Sequence, residues 1–234
     1  MPAPYIQPQP EVLDRRDGPF GEVALRRRGE RYEIIANGCF LMDTSDGRSE
    51  RLLVSAALDA LSRPGRGTAH PHLLIGGLGV GFSLAEAAAD PRPGRITVLE
   101  RERAVIDWHT VGPAPLAPFA GTGHRDPRVR LVQDDLLNHL RTTADRYHAL
   151  CLDIDNGPDW TVTDANGGLY GFAGLTVLER VLAPGGVLAV WSAAPAPEFE
   201  ERLRARFPQV ERLDVAVHVE RGEPDVVYLA SRLG

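Results

Sequence analysis

Residues 73–87 read LLIGGLGVGFSLAEA, and this stretch predicts the central feature of the fold. The run LLIG has the composition of a short buried strand, and a helical spacing of apolar residues follows from Ser83 to Ala89. Glycines between a strand and a helix let the backbone turn tightly and let a ligand approach the helix N-terminus. We therefore predict a strand–loop–helix unit whose candidate ligand-binding residues are Gly76, Gly77, Gly79 and Gly81.

The spacing of these glycines indicates which ligand the loop suits. The nicotinamide pattern GxGxxG, begun at Gly77, requires a small residue at position 82, where this chain has Phe82. A dinucleotide is thus disfavoured, whereas a GxGxG loop after the first strand is the usual pattern for S-adenosylmethionine. The alternative is a glycine-rich turn that binds no ligand.

Four further short apolar runs, each followed by a helical segment, extend this unit. They are ITVLE, VRLV, ALCLD and VLAVW, ending at residues 100, 132, 153 and 191. Five strand–helix units in a row predict a parallel sheet covered on both faces. The last apolar runs, near 213–219 and 226–230, are too close together for a helical crossover, so we expect them to be antiparallel.

The residues before this region predict a smaller antiparallel β domain. Three short strands are expected at Glu22–Leu25, Tyr32–Ile35 and Cys39–Met42, the last after the turn signal Asn37-Gly38. A helical pattern over 52–61 then ends at Pro64-Gly65. The chain starts with a proline-rich segment that we expect to be an extended arm.

Composition excludes several classes of function. The net charge of −6 argues against a binder of nucleic acid, and 43% apolar residues are typical of a globular protein. All 26 basic residues are arginines, so neither a lysine Schiff base nor a P-loop lysine is present. The chain has no membrane-spanning apolar run and no secretory pattern, which predicts a cytoplasmic protein. The two cysteines and seven histidines show no metal-binding spacing, so no metal is expected.

Acidic side chains stand where predicted strands end. Glu100 ends ITVLE, 19 residues after Gly81, and a carboxylate there can accept hydrogen bonds from both ribose hydroxyls. After the next strand, Asp134 or Asp135 could accept the adenine amino hydrogen, while one of them could instead cap the following helix.

The loop after ALCLD is locally acidic. It contains Asp153, Asp155 and Asp159, with Trp160 available for a cation–π contact. Because the fourth strand borders the point where strand order reverses, this loop should lie at the ligand crevice and suit a cationic substrate. The alternative is a solvated, turn-rich loop.

From about Gly21 to about Ser192 the chain resembles the polyamine aminopropyltransferases, the spermidine synthase family. The resemblance rests on LLIGGLGVG, on DPRVR at 126–130, and on Leu169-Tyr170 followed by LAPGG at 182–186. It implies a methyltransferase-like Rossmann domain, mostly parallel with an antiparallel last strand, joined to a small N-terminal β domain. It also implies that Glu100 binds ribose, that Asp135 binds the adenine amine, that Asp153 is the catalytic base, and that the protein is a homodimer. The expected division is an arm at 1–18, the β domain with its linking helix at 19–64, and the S-adenosylmethionine-binding domain at 65–234.

The chain departs from the family on the acceptor side of the site. Asn156 replaces the second aspartate of the family's DSSDP, Trp191 replaces a glutamine, and Gly79 stands at the place of an aspartate. Arg48-Ser49-Glu50 occupies the place of Tyr-His-Glu. The candidate residues for catalysis are Asp153 and Asp155, and those for acceptor binding are Asn156, Asp159, Trp160 and Trp191.

Three functions are compatible with these residues. The first is methyl transfer from S-adenosylmethionine to a small acceptor, because an aspartate at position 79 would repel the carboxylate of that donor and this chain lacks it. The second is aminopropyl transfer from decarboxylated S-adenosylmethionine to a polyamine. The third is a nucleoside-binding protein without catalysis. Methyl transfer is the primary expectation from the sequence.

Overall fold

The N-terminal part of the protein is a four-stranded antiparallel sheet. The computed structural model describes residues 9–64, 68–159, 164–216 and 223–232. The strands follow chain order across the sheet and are β1 (Glu11–Gly18), β2 (Gly21–Arg28), β3 (Arg31–Ala36) and β4 (Cys39–Asp43). Asn37 and Gly38, with φ of 50° and 78°, form the tight turn predicted between the last two strands.

Strand β1 corrects the prediction of three strands preceded by an arm. Glu11–Gly18 pairs with β2, so this part of the predicted arm belongs to the sheet. Asp14 accepts a hydrogen bond from the Trp108 indole at 2.8 Å, and Arg16 pairs with Asp107 at 2.6 Å. The sequence EVLDRRDG shows no apolar strand pattern, because polar contacts, rather than an apolar face, stabilise this strand. Residues 1–8 lie outside the described residues.

The rest of the chain forms an α/β unit with a seven-stranded sheet in the order β10-β11-β9-β8-β5-β6-β7. Strands β5 to β9 are parallel and β11 is antiparallel to both its neighbours, as predicted. The elements are α1 (Arg48–Leu61), β5 (His72–Gly76), α2 (Phe82–Ala89), β6 (Arg95–Glu100), α3 (Arg103–Thr110), β7 (Val129–Gln133), α4 (Leu136–Thr142), β8 (Tyr147–Leu152), α5 (Asp164–Tyr170), α6 (Phe172–Val181), β9 (Leu182–Ser192), α7 (Pro197–Arg204), β10 (Gln209–Val215) and β11 (Asp225–Ser231).

Buried residues on each strand alternate between two cores, one on each face of the large sheet. On β8, Ala149 and Cys151 belong to the core under α1, whereas Leu150 and Leu152 belong to the opposite core. The core under α1 also includes Val23, Leu25 and Ile34 from the small sheet. The two sheets therefore share one hydrophobic core, which fixes the small sheet over one edge of the large sheet. Within the described residues, no helix is long and apolar enough to cross a membrane.

Strand β5 lies at the point where the strand order reverses, between β6 and β8. The loops that follow β5 and β8 meet there, and the Asp153 amide donates to the Gly76 carbonyl at 2.8 Å. Gly77 has a φ of 96° and lies so close to the Asp153 carbonyl that a Cβ atom would collide with it. Only glycine satisfies both conditions, which brings the glycine loop against the acidic loop.

We predict that Gly77→Ala lowers the free energy of unfolding by at least about 3 kcal/mol, because alanine adds a backbone collision to the strain of a positive φ. The matched control is Gly38→Ala, whose φ is 78° but whose Cβ would meet no atom within 4 Å. That variant should lose only about 1–2 kcal/mol. Urea unfolding measures both values, and equal losses would show that the Gly77 contact contributes nothing.

Candidate functional site

A cavity of about 600 Å³ lies between the small sheet and the carboxyl edge of the large sheet. Val23, Ile34 and Met42 line its side on the small sheet. The opposite side includes Gly77 and Gly79 of the glycine loop and the ends of β6, β7 and β8. This crevice is where α/β sheets bind ligands.

Two of the four predicted loop glycines do not line this cavity. Gly76 is the buried last residue of β5 and packs against Leu136. Gly81, with a φ of 100°, faces Ala120 and His109. Both shape the loop, whereas Gly77 and Gly79 are placed to contact a ligand. Met42 occupies the space that a side chain at position 79 would need.

Glu100 lies at the tip of β6, lines the cavity and braces the glycine loop. Its Oε2 atom accepts from the Leu78 amide at 3.0 Å, and its Oε1 atom accepts from the Glu102 amide at 2.8 Å. Burial raises the pKa of this carboxyl, while the backbone donors oppose that shift. Glu100 therefore stabilises the glycine loop by accepting a backbone hydrogen bond, and its carboxylate also lines the cavity.

His109 supports the same loop, a role that no sequence pattern predicts. Its Nε2 atom lies 2.9 Å from the Gly79 carbonyl, which requires that nitrogen to carry the hydrogen and donate it. Burial lowers the pKa of His109 to about 4, so the ring is neutral at physiological pH. A histidine on a helix after the second strand has no motif around it, and only the folded contact reveals its role.

Asp134 and Asp135 both line the cavity and both contact the first turn of α4. Asp135 caps that helix through Oδ1, which accepts from the Asn138 amide at 2.8 Å. Asp134 accepts from the Asn138 side chain at 3.3 Å and lies 3.4 Å from His139. The structure thus shows the capping role for Asp135, and it places both carboxylates on the Glu100 side of the cavity.

Asp153 and Glu50 form the acidic centre of the cavity. Asp153 follows β8, and Glu50 lies in the first turn of α1. The Ser83 hydroxyl lies 3.2 Å from both the Asp153 carboxylate and the Glu50 carbonyl. Burial is the main cause that raises the pKa of Asp153 to about 6. Burial and then the Asp153 charge raise the pKa of Glu50 to about 8. Asp155, with a φ of 52°, lines the cavity beside them.

Glu50 is joined to a third acid, Asp225, which the sequence analysis missed. The Ser49 hydroxyl lies 2.9 Å from Glu50 Oε2 and 2.9 Å from Asp225 Oδ2. Asp225 begins the antiparallel strand β11, so it lies at the same edge as the carboxyl ends of the parallel strands. An acid immediately before the last apolar run, which was predicted to be antiparallel, is the signal that would have found it.

Two buried donors border the acidic centre. The Nδ2 atom of Asn156 and the Nε1 atom of Trp191 have no hydrogen-bond partner among the described residues, and both residues line the cavity as predicted. Asp159 was predicted to bind substrate, but it is exposed, lies 3.8 Å from Arg202 and is not among the lining residues. Trp160 lies outside the described residues.

The lining is strongly acidic. Among the described residues it contains eleven carboxylates and two guanidinium groups. Both arginines contact neighbouring acids, Arg48 with Asp46 at 2.8 Å and Arg101 with Glu102 at 3.4 Å. The carboxylates are Glu22, Asp43, Asp46, Glu50, Glu100, Glu102, Asp134, Asp135, Asp153, Asp155 and Asp225. Such a cavity attracts cations and repels anions. In the described ranges, no three His, Cys, Asp or Glu side chains are arranged to hold a metal ion.

Comparison with known proteins gives curated relatives of one kind. Polyamine aminopropyltransferase 2 of Streptomyces coelicolor is 32% identical over 164 residues, which are 69% of this chain and 27% of that protein. The polyamine aminopropyltransferase of Mycobacterium tuberculosis is 27% identical over 187 residues, 79% of this chain and 33% of that protein. The chain thus spans about a third or less of the length of these relatives. No protein-family model matches it.

Two solved structures share the fold. Spermidine synthase in complex with the transition state analogue AdoDATO aligns with a TM-score of 0.76 at 14% identity, over 95% of this chain and 74% of that one. Spermidine synthase from Thermotoga maritima aligns with a TM-score of 0.72 at 14% identity, over 95% and 73%. Together with the sequence relatives, these matches make the chain a divergent, spermidine synthase-like member of the polyamine aminopropyltransferase family.

Proposed function

We propose that this protein transfers an aminopropyl group from decarboxylated S-adenosylmethionine to an amine acceptor. The observation that carries the proposal is the acidic cavity with Asp153 beside the glycine loop. A cavity lined by carboxylates suits substrates that carry ammonium groups. The names of the sequence relatives, all polyamine aminopropyltransferases, support the same chemistry.

The charge of the cavity also bears on the donor. The expectation of methyl transfer rested on the missing carboxylate at Gly79, which was taken to relieve repulsion of the carboxylate of S-adenosylmethionine. However, Glu50, Asp153 and Asp225 supply other acids to the same cavity, so that repulsion persists. A donor without its carboxylate, ending in an ammonium group, fits this field better. The relatives likewise favour aminopropyl over methyl transfer.

The nucleoside part of the donor would lie on the Glu100 side. Glu100 would accept hydrogen bonds from the ribose hydroxyls, and the ligand would lie against the loop backbone at Gly77 and Gly79, which line the cavity. Asp134 or Asp135 would accept from the adenine amine. The sulfonium would then lie between this half of the cavity and Asp153.

Asp153 would act as the general base. Asp153 takes one proton from the bound acceptor ammonium, which leaves a neutral amine with a lone pair on nitrogen. That nitrogen attacks the methylene carbon bound to sulfur, the carbon–sulfur bond breaks, and its electron pair stays on sulfur in methylthioadenosine, while the product nitrogen carries the positive charge. Because burial raises the pKa of Asp153 to about 6, it is mostly ionised at neutral pH and is more basic than an ordinary aspartate. Turnover should therefore rise with pH as Asp153 loses its proton.

We predict that Glu100→Ala weakens methylthioadenosine binding by about 1.5–3 kcal/mol, the range for hydrogen bonds to a charged group. Calorimetric titration measures the affinity, and thermal unfolding separates it from the loop-bracing role. Asp159→Ala is the control, because that acid is exposed and absent from the cavity lining. Unchanged affinity in Glu100→Ala would remove Glu100 from the ligand site.

We predict that Asp153→Asn lowers kcat by roughly 10²–10⁴-fold while methylthioadenosine affinity stays within a few fold, because the amide cannot accept a proton. Mass spectrometry of products from a diamine, with either donor, gives the rate and the group transferred. Asp159→Asn should leave turnover unchanged. Full activity of Asp153→Asn would exclude this base, methylated product would restore methyl transfer, and nucleoside binding without any product would favour a non-catalytic protein.

A further inference from the structure

We propose that Glu50, Ser49 and Asp225 hold one shared proton in the unloaded protein, and that a cationic acceptor displaces this proton when it binds. The inference rests on the proposed function for its second half, the identity of the displacing cation. Its first half concerns the protein alone and can be tested without any substrate.

The geometry of one hydroxyl between two acids requires the proton. Ser49 Oγ lies 2.9 Å from a carboxylate oxygen of Glu50 and 2.9 Å from one of Asp225. A hydroxyl carries a single hydrogen, so it can donate to only one of them. The other contact is a hydrogen bond only if that carboxyl is protonated and donates to Ser49 Oγ. If both carboxyls were ionised, one of the two contacts would bring a carboxylate lone pair against a lone pair of the Ser49 hydroxyl oxygen in a buried site.

Burial and charge assign the proton to Glu50. Glu50 and Ser49 are 6% and 5% exposed, and Asp225 is 6% exposed, so water does not screen the acids. Burial is the main cause that raises the pKa of Glu50 to about 8, followed by the negative charge of Asp153, with Asp225 adding to the effect.

The other charged groups around the site do not remove the need for this proton. Glu100 on β6 adds negative charge near Asp153. Arg48, in the same helix turn, forms a salt bridge with Asp46 at 2.8 Å, and its charge also attracts Asp225, which favours the ionised form of Asp225 over that of Glu50. In the arrangement that results, Glu50 donates to Ser49 and Ser49 donates to Asp225.

A bound ammonium would reverse this balance. A positive charge beside Glu50, Asp153 and Asp225 favours their ionised forms, so the pKa of Glu50 falls and its proton leaves for solvent. The protein can therefore stay folded when the cavity is empty, because the proton on Glu50 reduces the negative charge of the acidic centre. The acidic centre regains its full negative charge when an amine binds. Proton release coupled to amine binding follows by linkage.

The ligand-free test is the pH dependence of unfolding. A carboxyl that keeps its proton in the folded state, but loses it in the unfolded chain near its ordinary pKa, destabilises the fold as pH rises up to about 8. Between about pH 5.5 and 8, Glu50→Gln should remove a decline in the folding equilibrium constant that approaches tenfold for each pH unit. Glutamine keeps the shape and can still donate to Ser49.

Two further variants sharpen this test. Asp225→Asn should move the decline to lower pH, because the Asp225 charge contributes to the raised pKa of Glu50. Glu198→Gln is the matched control, an exposed acid in the first turn of α7 that does not line the cavity. It should leave the pH profile unchanged. An identical profile for wild type and Glu50→Gln would overturn the stored proton.

The displacement is tested by calorimetry with putrescine, a simple diamine, on protein saturated with methylthioadenosine. Titrations at about pH 7.5 in buffers of different ionisation enthalpy count the protons released on binding. Wild type should release about one proton more than Glu50→Gln. Equal release by both proteins would overturn the displacement. No putrescine binding would overturn both the displacement and the proposed amine acceptor, while the unfolding profile would still decide whether the proton is stored.

Discussion

The close backbone approach between Gly77 and Asp153 is the constraint on which the site depends. It occurs where β5 separates β6 from β8, and it brings the loop suited to a nucleoside against the acid suited to a proton transfer. The approach is possible because Gly77 lacks a Cβ and can adopt a φ of 96°. Glu100 and His109 then stabilise the loop by hydrogen bonds to its backbone at Leu78 and Gly79. The small sheet, which shares its core with the face under α1, encloses the crevice.

Burial of several carboxylates is the main cost of this arrangement, and repulsion between their charges adds to it. Glu50, Asp153 and Asp225 come from three different elements and converge in one poorly solvated region. Two serine hydroxyls, Ser49 and Ser83, form hydrogen bonds with these acids and reduce the cost. The raised pKa of Glu50 reduces it further, because a protonated carboxyl carries no charge. The same field gives the cavity its selectivity, because it attracts an ammonium group and repels a carboxylate. Stability of the empty protein and preference for a cationic substrate thus have one physical origin.

The sequence predicts the parallel strands of the large sheet well because most of them are buried apolar runs and each is followed by a helical pattern. It also predicts that Gly77, Gly79, Glu100 and Asp153 belong to the candidate site, because these residues lie in or directly after such strands. All four line the cavity. The sequence does not predict strand β1, because a hydrogen bond to Trp108 and a salt bridge to Asp107, rather than an apolar face, stabilise it. Asp225 is missed because only the reversed direction of β11 brings an acid that precedes a strand to the carboxyl edge of the parallel strands. His109 is missed because it joins the site through a helix contact that leaves no local pattern. Asp159 was predicted to bind substrate but does not line the cavity, because acidity along the chain does not reveal which side chains face the crevice.

A crystal structure with methylthioadenosine and a diamine would test most directly the claim that one cavity binds a nucleoside and an amine side by side. We expect the ribose hydroxyls on Glu100 and an amine nitrogen within hydrogen-bond distance of Asp153, about 2.7–3.2 Å. We expect the ammonium charge to lie in the field of Glu50 and Asp225. A nucleoside bound away from the glycine loop, or an amine bound outside the acidic cavity, would contradict this account.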